Sequence, residues 1–162
     1  MKKLLTCLVI LGIFFGVINL AMAGNTANQT VTYEVAAINE SSVSGNPGAL
    51  TVNAATAGSE PDEVTDSSTT YNITTNGTNK KITGQIDSVM PTGTTLKINL
   101  VAPTGGNSAG NVILTSSPAD LVTGITKKKG SGLGITYKLS ATVDAGEVAP
   151  ATRTVTLTIT SG

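Results

Sequence analysis

The 162-residue chain contains no His and no Trp, a single Cys, two Phe and three Tyr. Lacking His, it has neither the commonest general base nor the commonest transition-metal ligand. One Cys cannot close an intrachain disulfide, so the fold receives no covalent staple. Aromatics make up 3% and charged residues 12%. That composition excludes a basic nucleic-acid surface with stacking rings. Basic and acidic residues balance at ten each, which gives little steering toward anionic polymers. The hydrophobic content of 40% argues against bulk disorder.

What is present begins with a leader pattern. Met1-Lys2-Lys3 forms a short positive region, Leu4 to Leu20 is apolar, and Ala21-Met22-Ala23 matches an A-x-A cleavage site. This order predicts a secretory signal peptide over residues 1–23, of bacterial appearance. A spanning helix wants about 20 uninterrupted apolar residues; Gly12, Gly16 and Asn19 interrupt this run. Cleavage after Ala23 would leave 139 of the 162 residues, without Cys7 and without either Phe. Loss of Lys2 and Lys3 would leave eight basic against ten acidic residues, a net charge of −2. The expected domains are a signal peptide over 1–23 and one β-sandwich over 24–162.

The remainder is dense in Thr, Ser, Val, Ile, Gly and Asn. Thr, Val and Ile suit half-buried pleated strands, and Gly, Asn and Pro suit the turns between them. Alternation of apolar and polar residues is the main signal. It marks Val31–Val35, Leu50–Val52, Tyr71–Thr74, Ile82–Ile86, Leu96–Leu100, Leu133–Val143 and Val155–Thr160, with a continuous run at Val112–Leu114. About seven to nine strands at short spacing predict an all-β fold, a single antiparallel immunoglobulin-like sandwich. The expected core is Val31, Tyr33, Tyr71, Ile73, Leu96, Ile98, Leu100, Ile135, Tyr137, Leu139, Val155, Leu157 and Ile159. Asn76-Gly77 reads as a hairpin turn between two strands. Pro118 to Val122 reads as a short helical turn, and Lys127–Gly132 as an exposed basic turn.

No spacing spells out a reaction. Glu60, Asp62, Glu63 and Asp66 form the one acidic cluster, and hard oxygen ligands of this kind can hold extracellular calcium. Their spacing does not match D-x-[DN]-x-[DN]-G, and Pro61 with Ser67-Ser68 suits a solvated loop. Lys127, Lys128 and Lys129 are few for a basic patch, and a charged loop tip that resists edge-to-edge sticking accounts for them. Gly130-Ser131-Gly132-Leu133-Gly134 lacks the lysine of a phosphate loop and leads into a strand. Serine chemistry would need a Ser–Lys pair, which no spacing selects. The expectation is a non-enzymatic protein with no catalytic, cofactor-binding or metal residues and no cofactor.

Two segments carry a resemblance. Asp144-Ala145-Gly146-Glu147, and then Arg153-Thr154-Val155-Thr156-Leu157-Thr158-Ile159-Thr160, are similar to the closing strand of pilus subunits of the chaperone–usher type. The chain after the leader resembles the Thr-rich immunoglobulin-like domains of secreted bacterial surface proteins. It departs from many pilus subunits in having no Cys pair after the leader and no penultimate Tyr. The resemblance implies a structural or adhesive cell-surface protein, pilus- or fimbria-like, located outside the cell or in the periplasm. The alternative is a periplasmic or extracellular binding module for a carbohydrate or protein. The expected partners are further copies or other surface proteins met through edge strands, with Gly24–Gln29 as a connecting arm; nucleic acid and a membrane span after the leader are not expected.

Overall fold

The computed structural model describes residues 25–162. The expected leader, Met1–Ala23, and Gly24 lie outside the described residues. The chain divides into two units, residues 1–34 and residues 35–162. Within the first, residues 25–34 form neither helix nor strand and every one is exposed.

Residues 35–162 fold into nine strands in two antiparallel sheets, with one 3-10 turn at Val143–Ala145. The strands are β1 (Asn39–Val43), β2 (Val64–Thr75), β3 (Lys80–Ile86), β4 (Thr94–Leu100) and β5 (Asn107–Ser108). They continue with β6 (Val112–Ile113), β7 (Ala119–Ile125), β8 (Lys128–Ala141) and β9 (Val155–Ser161). The larger sheet runs β1-β2-β8-β4-β6 and the smaller β5-β7-β3-β9. From β3 onward each strand lies in the other sheet from its predecessor. Neighbours in sequence are therefore rarely neighbours in a ladder, and most of the pairing is non-local. The all-β expectation holds, and the arrangement is sandwich-like.

Alternation places the core. In β3 and β4 the buried positions recur every second residue: Ile82, Gly84 and Ile86, then Leu96, Ile98 and Leu100. Tyr71 and Ile73 of β2, Leu121, Val122 and Ile125 of β7, and Ile135 and Tyr137 of β8 complete one cluster, together with Leu114. Fully burying one such aliphatic side chain contributes roughly 1.5–3 kcal/mol. The Tyr71 hydroxyl is carried inward with its ring and donates to the Val101 carbonyl at 2.6 Å. Its partner removes most of the cost of burying a phenol.

The structure corrects several expectations. Val31 and Tyr33 are not core residues: they are 76% and 87% exposed, and Val31–Val35 is not a strand. Their alternation is real, but no strand among the described residues pairs with them or covers it. Leu50–Val52 is likewise outside any strand, although Leu50 packs against the core. Val155, Leu157 and Ile159 are only half-buried because β9 is a sheet edge, and Leu139 of β8 is half-buried because it lines a hollow. Asn76-Gly77 does not close a hairpin: residues 76–79 join β2 in one sheet to β3 in the other. Pro118–Val122 is not helical, since β7 starts at Ala119 and pairs with β3. Of the expected basic turn only Lys127 lies between strands; Lys128–Gly132 opens β8.

Candidate functional site

Among the described residues, no group of three or more Cys, Asp or Glu is placed to hold a metal ion. The acidic cluster is instead consumed by local structure. Glu63 sits between two lysines of the larger sheet, with Oε1 2.9 Å from Lys138 Nζ and Oε2 3.0 Å from Lys97 Nζ. Hydrogen bonds from Lys138 and then Lys97 hold its carboxyl below the ordinary glutamate value. Asp66 accepts from the Ser68 hydroxyl at 2.8 Å and from the backbone N–H groups of Ser68 and Gly48. These bonds, the Ser68 hydroxyl first, lower its pKa. Glu60 accepts the Val143 N–H at 2.7 Å. Glu63 and Asp66 thus tie loops to strands, and Glu60 ties its loop to the 3-10 turn.

The feature that is not consumed by folding is an open cleft between the sheets. Among the described residues, β1 pairs only with β2 and β9 pairs only with β3. Each strand therefore ends its sheet with one unpaired row of main-chain N–H and C=O groups. The two edges lie on the same side of the molecule, where Ser41, Ser42 and Val43 face Val155, Thr156 and Leu157 across a hollow of about 290 Å³ floored by Tyr71 and Ile82. A larger hollow of about 550 Å³ extends under the Gly45–Leu50 loop. Its walls are Leu96, Ile135, Tyr137 and Leu139 on one side and Met90, Val155 and Leu157 on the other. Val43, Val155 and Leu157 line both hollows, which makes them one continuous apolar cleft.

Why the sequence leaves this cleft open is visible in the two edge strands. β1 is Asn-Glu-Ser-Ser-Val, a polar run exposed at all five positions. It has nothing to insert between the sheets. β9 alternates correctly, with Val155, Leu157 and Ile159 at one parity, which Arg153 just before it shares.

Two buried polar atoms lack a hydrogen-bond partner among the described residues, Thr69 Oγ1 and Arg153 Nε. Both residues line the larger hollow. Thr69 is 4% exposed and sits where the β2–β8 register shifts. Arg153 donates its terminal nitrogens to the carbonyls of Thr152 and Val89, at 2.8 and 3.0 Å. It makes no ion pair among the described residues and is the one charged residue in the cleft lining.

Sequence reasoning placed Val155, Leu157, Leu96, Ile135, Tyr137 and Leu139 together on inward faces, and the structure brings all six to this cleft. It missed Thr69 and Arg153. For Arg153 a signal existed: it shares the parity of the apolar positions of β9. No family model, curated protein or solved structure matches the chain.

Proposed function

We propose that the protein is a secreted, non-enzymatic structural or adhesive cell-surface subunit that associates with further copies through its open sheet edges. The observation that carries this reading is the pair of unpaired edge strands, β1 and β9, flanking an apolar cleft. Exposed edges of this kind recruit a further strand. The composition is in keeping with it: few charges, no His and a Thr-, Ser- and Asn-rich exterior offer hydrogen bonding rather than acid–base chemistry. Under the same reading the leader directs the chain out of the cytoplasm, and the two sheets form an immunoglobulin-like, pilus-type sandwich. Among the described residues no helix is long and apolar enough to cross a membrane.

The test is electron microscopy of the native cell surface with antibody to this chain, joined to sedimentation of the purified protein. Labelled surface structures and concentration-dependent assemblies are expected. A protein that stays monomeric at every concentration and labels no surface structure would overturn the reading. The hollow of about 550 Å³ with its two unpartnered polar atoms favours the second reading, a binding module for a carbohydrate or protein. Its mark would be saturable binding of a soluble ligand by that monomer.

A further inference from the structure

The larger hollow, under the Gly45–Leu50 loop, holds polar groups that folding leaves unused, one from each sheet. Thr69 of β2 shares the inward parity of Tyr71 and Ile73 and is 4% exposed. Arg153, two residues before β9, shares the parity of Val155, Leu157 and Ile159. Both residues line the hollow, and neither Thr69 Oγ1 nor Arg153 Nε has a hydrogen-bond partner among the described residues. We propose that this hollow binds an aliphatic carboxylate, with its hydrocarbon chain against the apolar walls and its carboxylate on Arg153 and Thr69. The proposal goes beyond both readings above: it needs no assembly, and its ligand is neither a carbohydrate nor a protein.

The head group follows from charge and donors. Arg153 is the one charged residue of the lining, and it makes no ion pair among the described residues. Its terminal nitrogens donate to the Thr152 and Val89 carbonyls. Those bonds fix the guanidinium and leave its Nε–H without an acceptor. A buried donor left unpaired is costly, and a carboxylate matches a guanidinium in charge and in plane. The Thr69 hydroxyl supplies a further donor. A neutral head would leave the positive charge without a counter-charge. A phosphate monoester, at about −1.5 to −2, would exceed it.

The body of the ligand follows from the walls. Leu50, Met90, Leu96, Ile135, Leu139 and Leu157 present only hydrocarbon and one thioether. A sugar would bring hydroxyl groups that such walls leave unpaired, whereas an alkyl chain placed there is removed from water. The volume of about 550 Å³ falls within the span of about 300–1,000 Å³ common to small-molecule sites. The roof is tied in place. Gly48 N–H donates to Asp66 Oδ2 at 3.2 Å, and Ser44 N–H donates to the Thr70 carbonyl at 2.9 Å.

The experiment titrates the full chain with hexanoate, octanoate, decanoate and 1-octanol at neutral pH, read by isothermal calorimetry. One saturable site per chain is expected. Each added CH₂ should tighten carboxylate binding about fourfold until the chain fills the hollow, the factor that about 0.8 kcal/mol per buried CH₂ gives. Octanoate should bind at least about tenfold more tightly than 1-octanol, as hydrogen bonds to a charged group do. Arg153→Gln should abolish that preference and keep octanol binding. Thr69→Val, which keeps the side-chain shape and removes the hydroxyl, should narrow the preference about threefold. The preference is a ratio within one chain, so a loss of stability that leaves the hollow folded does not alter it. If Arg153→Gln binds neither ligand, Thr69→Val decides: a narrowed preference supports the site and an unchanged one overturns it. Absence of saturable octanoate binding, affinity indifferent to chain length, or 1-octanol bound as tightly as octanoate by the wild type would each overturn the proposal. So would a wild-type preference kept by both variants. Sedimentation in the same buffers reads the subunit reading separately. Assembly without octanoate binding would overturn the ligand and leave that reading intact, and a constant monomer that binds octanoate would support the ligand and overturn that reading.

Discussion

Single residues show how tightly the fold depends on local surroundings. Gly93 precedes β4 with φ +76°, and a Cβ there would stand 2.6 Å from the Ala145 backbone nitrogen. Its neighbours in the contact are main chain, which cannot swing aside. Gly93→Ala should therefore cost roughly 1–3 kcal/mol, measured as a lower midpoint in urea. Tyr71 gives a second case, in pH. Burial pushes its phenol from 10.0 up to about 12, so the folded state keeps a proton that the unfolded state releases. The associated stability is fully present below pH 10 and is lost as pH rises toward about 12. Burial raises Tyr137 in the same sense. A urea midpoint that falls above pH 10 in the wild type should fall less in Tyr71→Phe, and less again when Tyr137→Phe is added. Glu63 works in the opposite direction. Its lysine partners depress its pKa below 4.5, so their stabilisation is present above that value and lost as pH falls through the depressed one. Glu63→Gln should lower the urea midpoint at neutral pH and match the wild type in strong acid.

At the scale of the elements, the two sheets are unequal in how much each strand depends on burial. Ile98 in central β4 is fully buried, whereas Leu157 in edge strand β9 is half-buried. Ile98→Ala should cost about 2–5 kcal/mol, and Leu157→Ala only about 1–2 kcal/mol, in proportion to the area it removes from water. Thermal melts of the two monomeric variants check the order. The same distinction explains what the sequence could and could not reveal. Central strands β3, β4 and β8 were legible because Ile82/Ile86, Leu96/Ile98/Leu100 and Ile135/Tyr137 alternate against polar neighbours. β7 was not legible: Leu121 and Val122 are adjacent and both buried, which breaks the period of two, and Gly124 follows with φ +71°. β1 has no apolar alternation at all, and only its register with β2, Asn39 opposite Thr75 through Val43 opposite Tyr71, makes it a strand. Val31, Tyr33 and Val35 show the converse, since a strand-like pattern fixes a face and leaves its partner unspecified. The cleft could not be read because it depends on which strands end each sheet, and non-local pairing decides that.

At the scale of the whole molecule, a single Cys closes no intrachain disulfide and charges are few, so the proposed association would rest on the same forces as the core. Only three ion pairs occur among the described residues, and Glu63 takes part in two of them. The proposed contact between copies would likewise join apolar side chains of the cleft, main-chain hydrogen bonds at the sheet edges and at most a few opposite charges at the rim. A rim pair of that kind contributes about 0–1 kcal/mol and is screened by salt. Burial of apolar surface at the cleft is not screened, and sulfate strengthens it by exclusion from protein surface. The sedimentation of assemblies should therefore shift little between about 0.05 and 0.5 M sodium chloride and should move toward larger species in ammonium sulfate. Cooling acts in the other sense, because apolar burial weakens as temperature falls, so assemblies formed at room temperature should partly dissociate in the cold. Dissociation by sodium chloride alone, with no response to sulfate or to cooling, would show that charge rather than the apolar cleft joins the copies.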